Sequence, residues 1–264
     1  MTNEQGRVRA EVEAPIGWIV IDNPARHNAM SLEMWAGLAD VVAGLEADPT
    51  VRVVVLRGAG TQAFVSGADI SQFDSVRNSS AANEEYDRVA GIAMQRLGTC
   101  AKPTVAALQG WCLGGGVALA LSCDLRIGDA ALRFGIPAGR LGIGYQWQGV
   151  RKLVNVVGAA NARRIFLTAG RLGADEALRM GFVQQVVPPD DLVPTARSTA
   201  EQIARNAPLT LRAVRIALQE FERHDAEPDV TRMETAVRSA IDSDDFKEGR
   251  QAFLEKRDPQ FQGR

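Results

Sequence analysis

The stretch GWCLGGGVALALSCD, residues 110–124, places Gly114, Gly115 and Gly116 in a row ahead of an apolar run of strong helix formers. Glycine inside a helix costs about 1 kcal/mol against alanine, so three at one end need a physical reason. The first turn of a helix leaves backbone N–H groups without intrahelical acceptors, at the end that favours negative charge. With no side chains there, a ligand oxygen can touch those N–H groups directly. Close packing of a helix on a strand also selects glycine, and spacing alone leaves both explanations open. A second stretch, FVSGAD (64–69), sets another main-chain N–H beside a glycine, at Ala68. Two such donors aimed at one point form an oxyanion hole, worth several kcal/mol to a developing enolate or tetrahedral oxyanion.

Other chemistries are poorly served. The two histidines are His27 and His224; neither lies near a nucleophile-elbow pattern, and His224, in ERHDAE, reads as part of a solvated helix end. No cluster has metal-ligand spacing. Gly58, Gly60 and Ala63 in VLRGAGTQA satisfy G-x-G-x-x-A, but a dinucleotide fold needs a helix to start there and an acidic residue about 20 positions on. The chain continues instead as extended and loop-like AFVSGADI, so no nicotinamide cofactor is expected. Cys100, Cys112 and Cys123 are odd in number and set in apolar surroundings, which suggests buried reduced thiols and no disulfide framework. The balance of 30 basic and 32 acidic residues gives −2, with no positive excess to release counterions from a nucleic acid. The opening MTNEQGRVRAEVEAP lacks an apolar signal core and no segment reaches membrane-span length. A cytoplasmic protein without a membrane or nucleic-acid partner is expected.

Several elements must position these groups. IGWIVIDNP (16–24) reads as a strand closed by an Asn-Pro turn. Ser31 caps a helix in which Met34, Leu38, Val41, Val42 and Leu45 recur at helical spacing up to Asp48. VRVVVLRG (51–58) is a strand buried on both faces. GAGTQAFVSGADIS follows as a glycine-punctuated loop, and residues 75–83 are polar and look mobile. Tyr86, Val89, Ala90, Ala93 and Leu97 mark one helix face. PTVAALQG is a strand leading into the glycine helix, and DLRIGD is another. Helical patterns then cover 158–168, 173–180, 190–206, 208–222 and about 229–255, interrupted by the strand GFVQQVVP. Alternating strands and helices through the first two thirds mean α/β. The division is a core over 1–196 and a helical region over 197–264. In that region Leu211, Val214, Leu218 and Phe221 form an apolar stripe that suits either the core or another subunit.

PARHNAM, AFVSGADI, KPTVAALQGWCLGGGVALALSCDLRIGDAALRFGIP, GFVQQVVPPDDL and FKEGRQAFLEKRDPQF resemble, in order and over nearly the whole chain, the crotonase (enoyl-CoA hydratase/isomerase) family. The resemblance implies a spiral of ββα units with a C-terminal helical region that mediates homotrimers, often paired as dimers of trimers. It implies an acyl-CoA or enoyl-CoA substrate, of the kind met in fatty acid metabolism, and no cofactor beyond the CoA moiety of that substrate. The backbone N–H groups of Ala68 and Gly115 match the family's oxyanion-hole positions. Arg26, Ala29, Asp69 and Ile70 match positions lining the CoA nucleotide end. Lys256, in FLEKR, matches a lysine that reaches the CoA phosphates, often from a neighbouring subunit. For Arg26 and Lys256, plain surface charge is the alternative.

The sequence departs from the family where hydratases carry two glutamates. GGG-x-E reads here GGGVA and FG-x-P-E reads FGIPA, so the positions are Ala118 and Ala138. Such acid/base groups contribute roughly 10²- to 10⁴-fold each, so standard hydration by two glutamates is not expected. In RLGIGYQWQGV, Gln146 matches the aspartate of dienoyl-CoA isomerases and aryl-CoA dehalogenases; glutamine orients a water or carbonyl but is no base or nucleophile at neutral pH. Tyr145 is either a proton donor or an aromatic closing the acyl pocket, and Trp111 and Trp147 are wall or core. Glu84, Tyr86 and Asp87 lie on the helix that covers the acyl end in the family, and one of them swinging inward is a further possibility. The leading expectation is an enzyme of lyase or isomerase type that stabilises a thioester enolate, with Tyr145 and Gln146 or a water handling protons. The rival is a catalytically silent acyl-CoA binder or scaffold.

Overall fold

The structure, a computed structural model, describes residues 6–69, 80–141, 145–222 and 229–264. Strand β1 (Arg7–Glu13) runs antiparallel to β2 (Ile16–Asp22), which is almost wholly buried. In RVRAEVE the apolar residues Val8, Ala10 and Val12 alternate with charged ones, which puts them on one face of the strand, and Val8 packs on the main core. The Ser31 Oγ accepts the Met34 N–H at 3.2 Å and so caps α1 (Leu32–Ala47), whose Met34, Trp35, Leu38, Val42 and Leu45 enter the core.

Three times the chain runs from a strand of a large sheet into a strand of a small sheet and then into a helix. The first unit is β3 (Val53–Gly58), β4 (Ala63–Val65) and α2 (Ser80–Gly98). The second is β5 (Thr104–Leu108), β6 (Trp111–Leu113) and α3 (Gly115–Ala120). The third is β7 (Leu125–Asp129), β8 (Arg133–Gly135) and the short α4 (Ala138–Leu141). In both sheets consecutive units pair in parallel, β3 with β5 and β5 with β7, β4 with β6 and β6 with β8. Parallel stacking of like strands makes each ββα unit one turn of a spiral. β2, a parallel bridge between Met30 and Ala68, and α1 form an abbreviated turn ahead of the three.

Helix α5 (Trp147–Thr168) is interrupted at Gly158, where φ is 75°. Then come β9 (Leu172–Gly173), α6 (Ala174–Arg179) and β10 (Gln185–Val187), which completes the large sheet beside β7. Among the described residues the large sheet has the order β1-β2-β3-β5-β7-β10 and the small one β4-β6-β8-β9. The main core holds side chains of both sheets, α1, α2 and α3. The opposite face of the large sheet packs on α7 (Leu192–Ala204) through Leu192, Ala196, Ala200 and Ala204, so this helix runs through residue 196 while buried in one cluster.

Three sequence expectations change. The loop expected over 58–71 contains β4, and residues 111–113, expected only to lead into the glycine helix, are β6. Strands of three residues are too short to show an alternating pattern. The single helix expected over 229–255 is α9 (Val230–Ile241) and α10 (Asp244–Glu255), with the Ser243 Oγ accepting the Phe246 N–H at the break. The apolar stripe of α8 (Pro208–Phe221) does not face this chain's core. Val214, Leu218 and Phe221 are exposed, while Ala213, Arg215, Ile216 and Glu220 are buried. Charged residues can take the inner face because they are paired: Arg215 with Asp124 at 2.9 Å, and Glu220 with Arg232 at 3.1 Å. Among the described residues no helix is long and apolar enough to cross a membrane.

Candidate active site

Ala68 and Gly115 follow the C-terminal ends of β4 and β6, which are adjacent parallel strands of the small sheet. Planarity of the trans peptide then fixes where each N–H points. The Gly67 carbonyl accepts the Met30 N–H at 2.8 Å, so the N–H of the same peptide, that of Ala68, points the opposite way. The next peptide is held as well, its Asp69 N–H donating to the Met30 carbonyl at 3.0 Å. The Gly114 carbonyl accepts the Ala118 N–H at 3.2 Å inside α3, which aims the Gly115 N–H out of the start of that helix. Ala68 and Gly115 are both half-buried, and among the described residues no acceptor is recorded for either N–H. Helix α3 has six residues, so its macrodipole is small and these individual N–H groups carry the polarity.

The three glycines have three different reasons. Gly114 takes φ +51° with nothing within 4 Å of a would-be Cβ, a left-handed turn that favours glycine. A Cβ on Gly116 would lie 2.2 Å from the Val65 carbonyl oxygen, so this glycine lets α3 touch β4. A Cβ on Gly115 would stand 3.3 Å from Trp35 Cζ2. Close packing therefore accounts for Gly116 and chain direction for Gly114, and Gly115 carries the accessible amide.

Asn28 is a residue that sequence reasoning missed. It is 1 % exposed and its side-chain amide is used at both ends. Its Oδ1 accepts the Asn23 N–H at 3.0 Å, and its Nδ2 donates to the carbonyls of Ala59 at 3.0 Å and Ala63 at 2.7 Å. It thus ties the 23–30 loop to the start of β4. His27 and Asn28 take positive φ, 50° and 57°, and the signal in the sequence is the Asn itself, which tolerates that region better than most residues. A Cβ on Gly58 would lie 2.3 Å from the Ala63 carbonyl and 2.6 Å from Asn28 Nδ2. The space beside Gly58 is therefore filled by protein atoms, which gives this glycine a packing reason.

The remaining positions singled out in the sequence are largely apolar. Ala68, Ala118, Ala138 and Tyr145 are each half-buried, and Ala68, Ala138 and Tyr145 pack on the main core. The Tyr145 ring meets Phe166 edge-on, with centroids 4.9 Å apart, and covers Gly149, where a Cβ would be 2.6 Å from its Cε1. Burial, aided by the negative charge of Asp87, pushes the Tyr145 phenol up to about 12. It stays protonated at neutral pH and donates a hydrogen bond more readily than a proton. Gln146 is exposed, and its main-chain carbonyl caps α5 by accepting the N–H groups of Gly149 and Val150. Trp147 is exposed and Trp111 lies under the Arg171 guanidinium. Tyr86 is buried and hydrogen-bonded to Trp35 and Met30, so it holds the site's frame and does not swing inward. Glu84 is exposed and Asp87 half-buried.

Arg26 grips both carboxylate oxygens of Asp69 at 2.9 and 3.1 Å. Ala29 is buried, and its carbonyl takes the Asn23 Nδ2. Ile70 and His224 lie outside the described residues. Lys256 is exposed just past α10. The tail that follows it reaches Arg52, at the start of β3, whose guanidinium donates to the Phe261 carbonyl; that is the opposite strand end from the donors. The three cysteines are buried and free. Among the described residues no group of His, Cys, Asp and Glu is arranged to hold a metal.

The spiral of ββα turns defines a crotonase fold, and comparison with known proteins agrees. Residues 11–264 match the family described as enoyl-CoA hydratase/isomerase, and the chain belongs to that family. It is 33% identical to the short-chain-enoyl-CoA hydratase of Clostridium acetobutylicum, over 96% of this chain and 97% of that one. It is 32% identical to the (E)-benzylidenesuccinyl-CoA hydratase of Thauera aromatica, over 97% and 99%. A crystal structure of an enoyl-CoA hydratase/carnithine racemase from Magnetospirillum magneticum superposes with a TM-score of 0.92 at 33% identity, covering 97% of this chain and 96% of that one.

Proposed function

We propose that the protein transforms an enoyl- or acyl-CoA thioester by holding its carbonyl oxygen between the N–H groups of Ala68 and Gly115. The observation that carries this is the pair of half-buried amides at adjacent strand ends, each aimed by a hydrogen bond on its own peptide. Charge that develops on the thioester oxygen as an enolate forms meets fixed donors that need no reorganisation. The reaction is of lyase or isomerase type. Ala118 and Ala138 remove the two-glutamate route for water, so the proton passes through a bound water or a group oriented by Tyr145 and Gln146. Arg26, Ala29, Asp69 and Ile70 line the CoA end, Asp69 and Arg26 as a pair that shapes the loop, and Lys256 reaches the phosphates from a neighbouring copy. The exposed apolar residues of α8 support assembly into a homotrimer or a dimer of trimers. No cofactor beyond CoA is required, and the cytoplasm is the proposed location.

The test is α-proton exchange in D₂O, followed by NMR, on a panel of saturated and unsaturated CoA thioesters, with calorimetric titration of each. Binding with exchange supports an enolising enzyme. Binding without exchange on any ligand leaves a silent acyl-CoA binder. No binding at millimolar thioester overturns the proposal.

A further inference from the structure

The two proposed donor loops meet through a buried chain of side-chain contacts. Trp35, on α1, lies against the Gly115 backbone, with its Cζ2 3.3 Å from where a Cβ would stand. Its indole Nε1–H donates to the Tyr86 hydroxyl at 2.7 Å. That hydroxyl donates in turn to the Met30 carbonyl at 3.2 Å. The same carbonyl accepts the Asp69 N–H, and the Met30 N–H holds the Gly67 carbonyl, so Met30 clamps the peptides on both sides of Ala68. Trp35, Tyr86 and Met30 are 1 %, 7 % and 0 % exposed.

We infer that Tyr86 and Trp35 are positioning residues that set the aim of both proposed oxyanion donors, without touching substrate. The inference rests on the Ala68–Gly115 proposal above and adds what holds that pair in register. Its logic is geometric. A peptide carbonyl with one hydrogen bond pivots about it, whereas the Met30 carbonyl is held from two directions. Removing the Tyr86 hydroxyl frees the Met30 peptide, and with it the peptides flanking Ala68. It also leaves the buried indole N–H without this acceptor, so Trp35 shifts against Gly115. Buried polar groups in a low-dielectric setting act as a unit, so cutting either link releases both donors.

Cinnamoyl-CoA reports the donors directly, because hydrogen bonds to its thioester oxygen polarise the conjugated system and move its ultraviolet absorption to longer wavelength. The parent protein, Tyr86→Phe, Trp35→Phe and the double variant are each saturated with the probe, and their spectra and melting temperatures are compared. The parent is expected to show a red shift. Each single variant loses more than half of it, and the double variant loses no more than the singles, the non-additivity expected of one connected relay. A residue with only a packing role lowers the melting temperature and leaves the spectrum of the bound probe alone. A parent shift that survives intact in either folded variant overturns the inference and leaves the donor proposal standing. A parent that binds the probe with no shift removes the donor proposal itself. If one phenylalanine variant fails to fold, the other carries the test.

Discussion

The two sides of the proposed site are built on different principles. On the donor side the polar side chains are tied down: the Asn28 side chain makes three hydrogen bonds, Arg26 and Asp69 are paired through two, and Tyr86 links α1 to Met30. The side proposed to face it offers the half-buried Ala118 and Ala138 and the ring of Tyr145. A site of this kind is equipped to stabilise negative charge on an oxygen and sparsely equipped to move protons. The difference teaches that main-chain polarity and side-chain acid/base chemistry are separable within one fold.

The sharpest way to break the contrast is to restore the missing groups. Ala118→Glu combined with Ala138→Glu is expected to raise crotonyl-CoA hydration by about 10²-fold or more over the parent, read from loss of the conjugated thioester absorbance. A parent that already hydrates as fast as the double variant would show that proton transfer here does not depend on those positions.

Next in size is Gly116→Ala, which tests the donor side. Its new Cβ meets the Val65 carbonyl, a backbone atom that cannot rotate aside. A loss of about 3 kcal/mol is expected, measured by denaturant unfolding, together with weaker thioester binding. Asn28→Ala is expected to cost about 2 kcal/mol, because the carbonyls of Ala59 and Ala63 lose a buried donor. Unchanged stability there would mean that β4 is held by its strand partner alone.

Smallest is Tyr145→Phe, which keeps the ring and removes the hydroxyl. A wall role predicts less than about a threefold change in any exchange or turnover rate; a loss of about 10²-fold or more would make the phenol a participant. Its pH signature has a definite sign. The folded phenol is raised to about 12 from an ordinary 10, so its contribution to stability is complete below about 10 and is lost as pH rises through about 12. The phenylalanine variant should therefore lose less stability than the parent on going from pH 9 to pH 11.5.

Much of the frame was legible because it rests on long apolar patterns. The 51–58 and 103–108 runs, the Ser31 cap, and the Tyr86, Ala90, Ala93 and Leu97 face all occupy the expected elements. The small sheet was not legible, since its strands are two or three residues long and derive their pairing from the spiral. Glycine spacing marked the 114–116 turn, but its three separate causes depend on what stands opposite: Val65, Trp35 and open space. The Trp35–Tyr86 contact spans 51 positions and no local pattern encodes it. Trp35, three residues before Leu38 and seven before Val42, belongs to the same buried face, and the stripe marks its burial without showing its partner.

The three sequestered sulfurs give this chain a built-in clock. Burial raises the thiols of Cys100, Cys112 and Cys123, so an alkylating reagent finds little thiolate until the surrounding segment opens. Cys112 lies within β6, Cys123 just beyond α3, and Cys100 at the corner between α2 and β5. The order in which the three are labelled over hours in native buffer ranks how often each neighbourhood breathes, without any added fluorophore or tag.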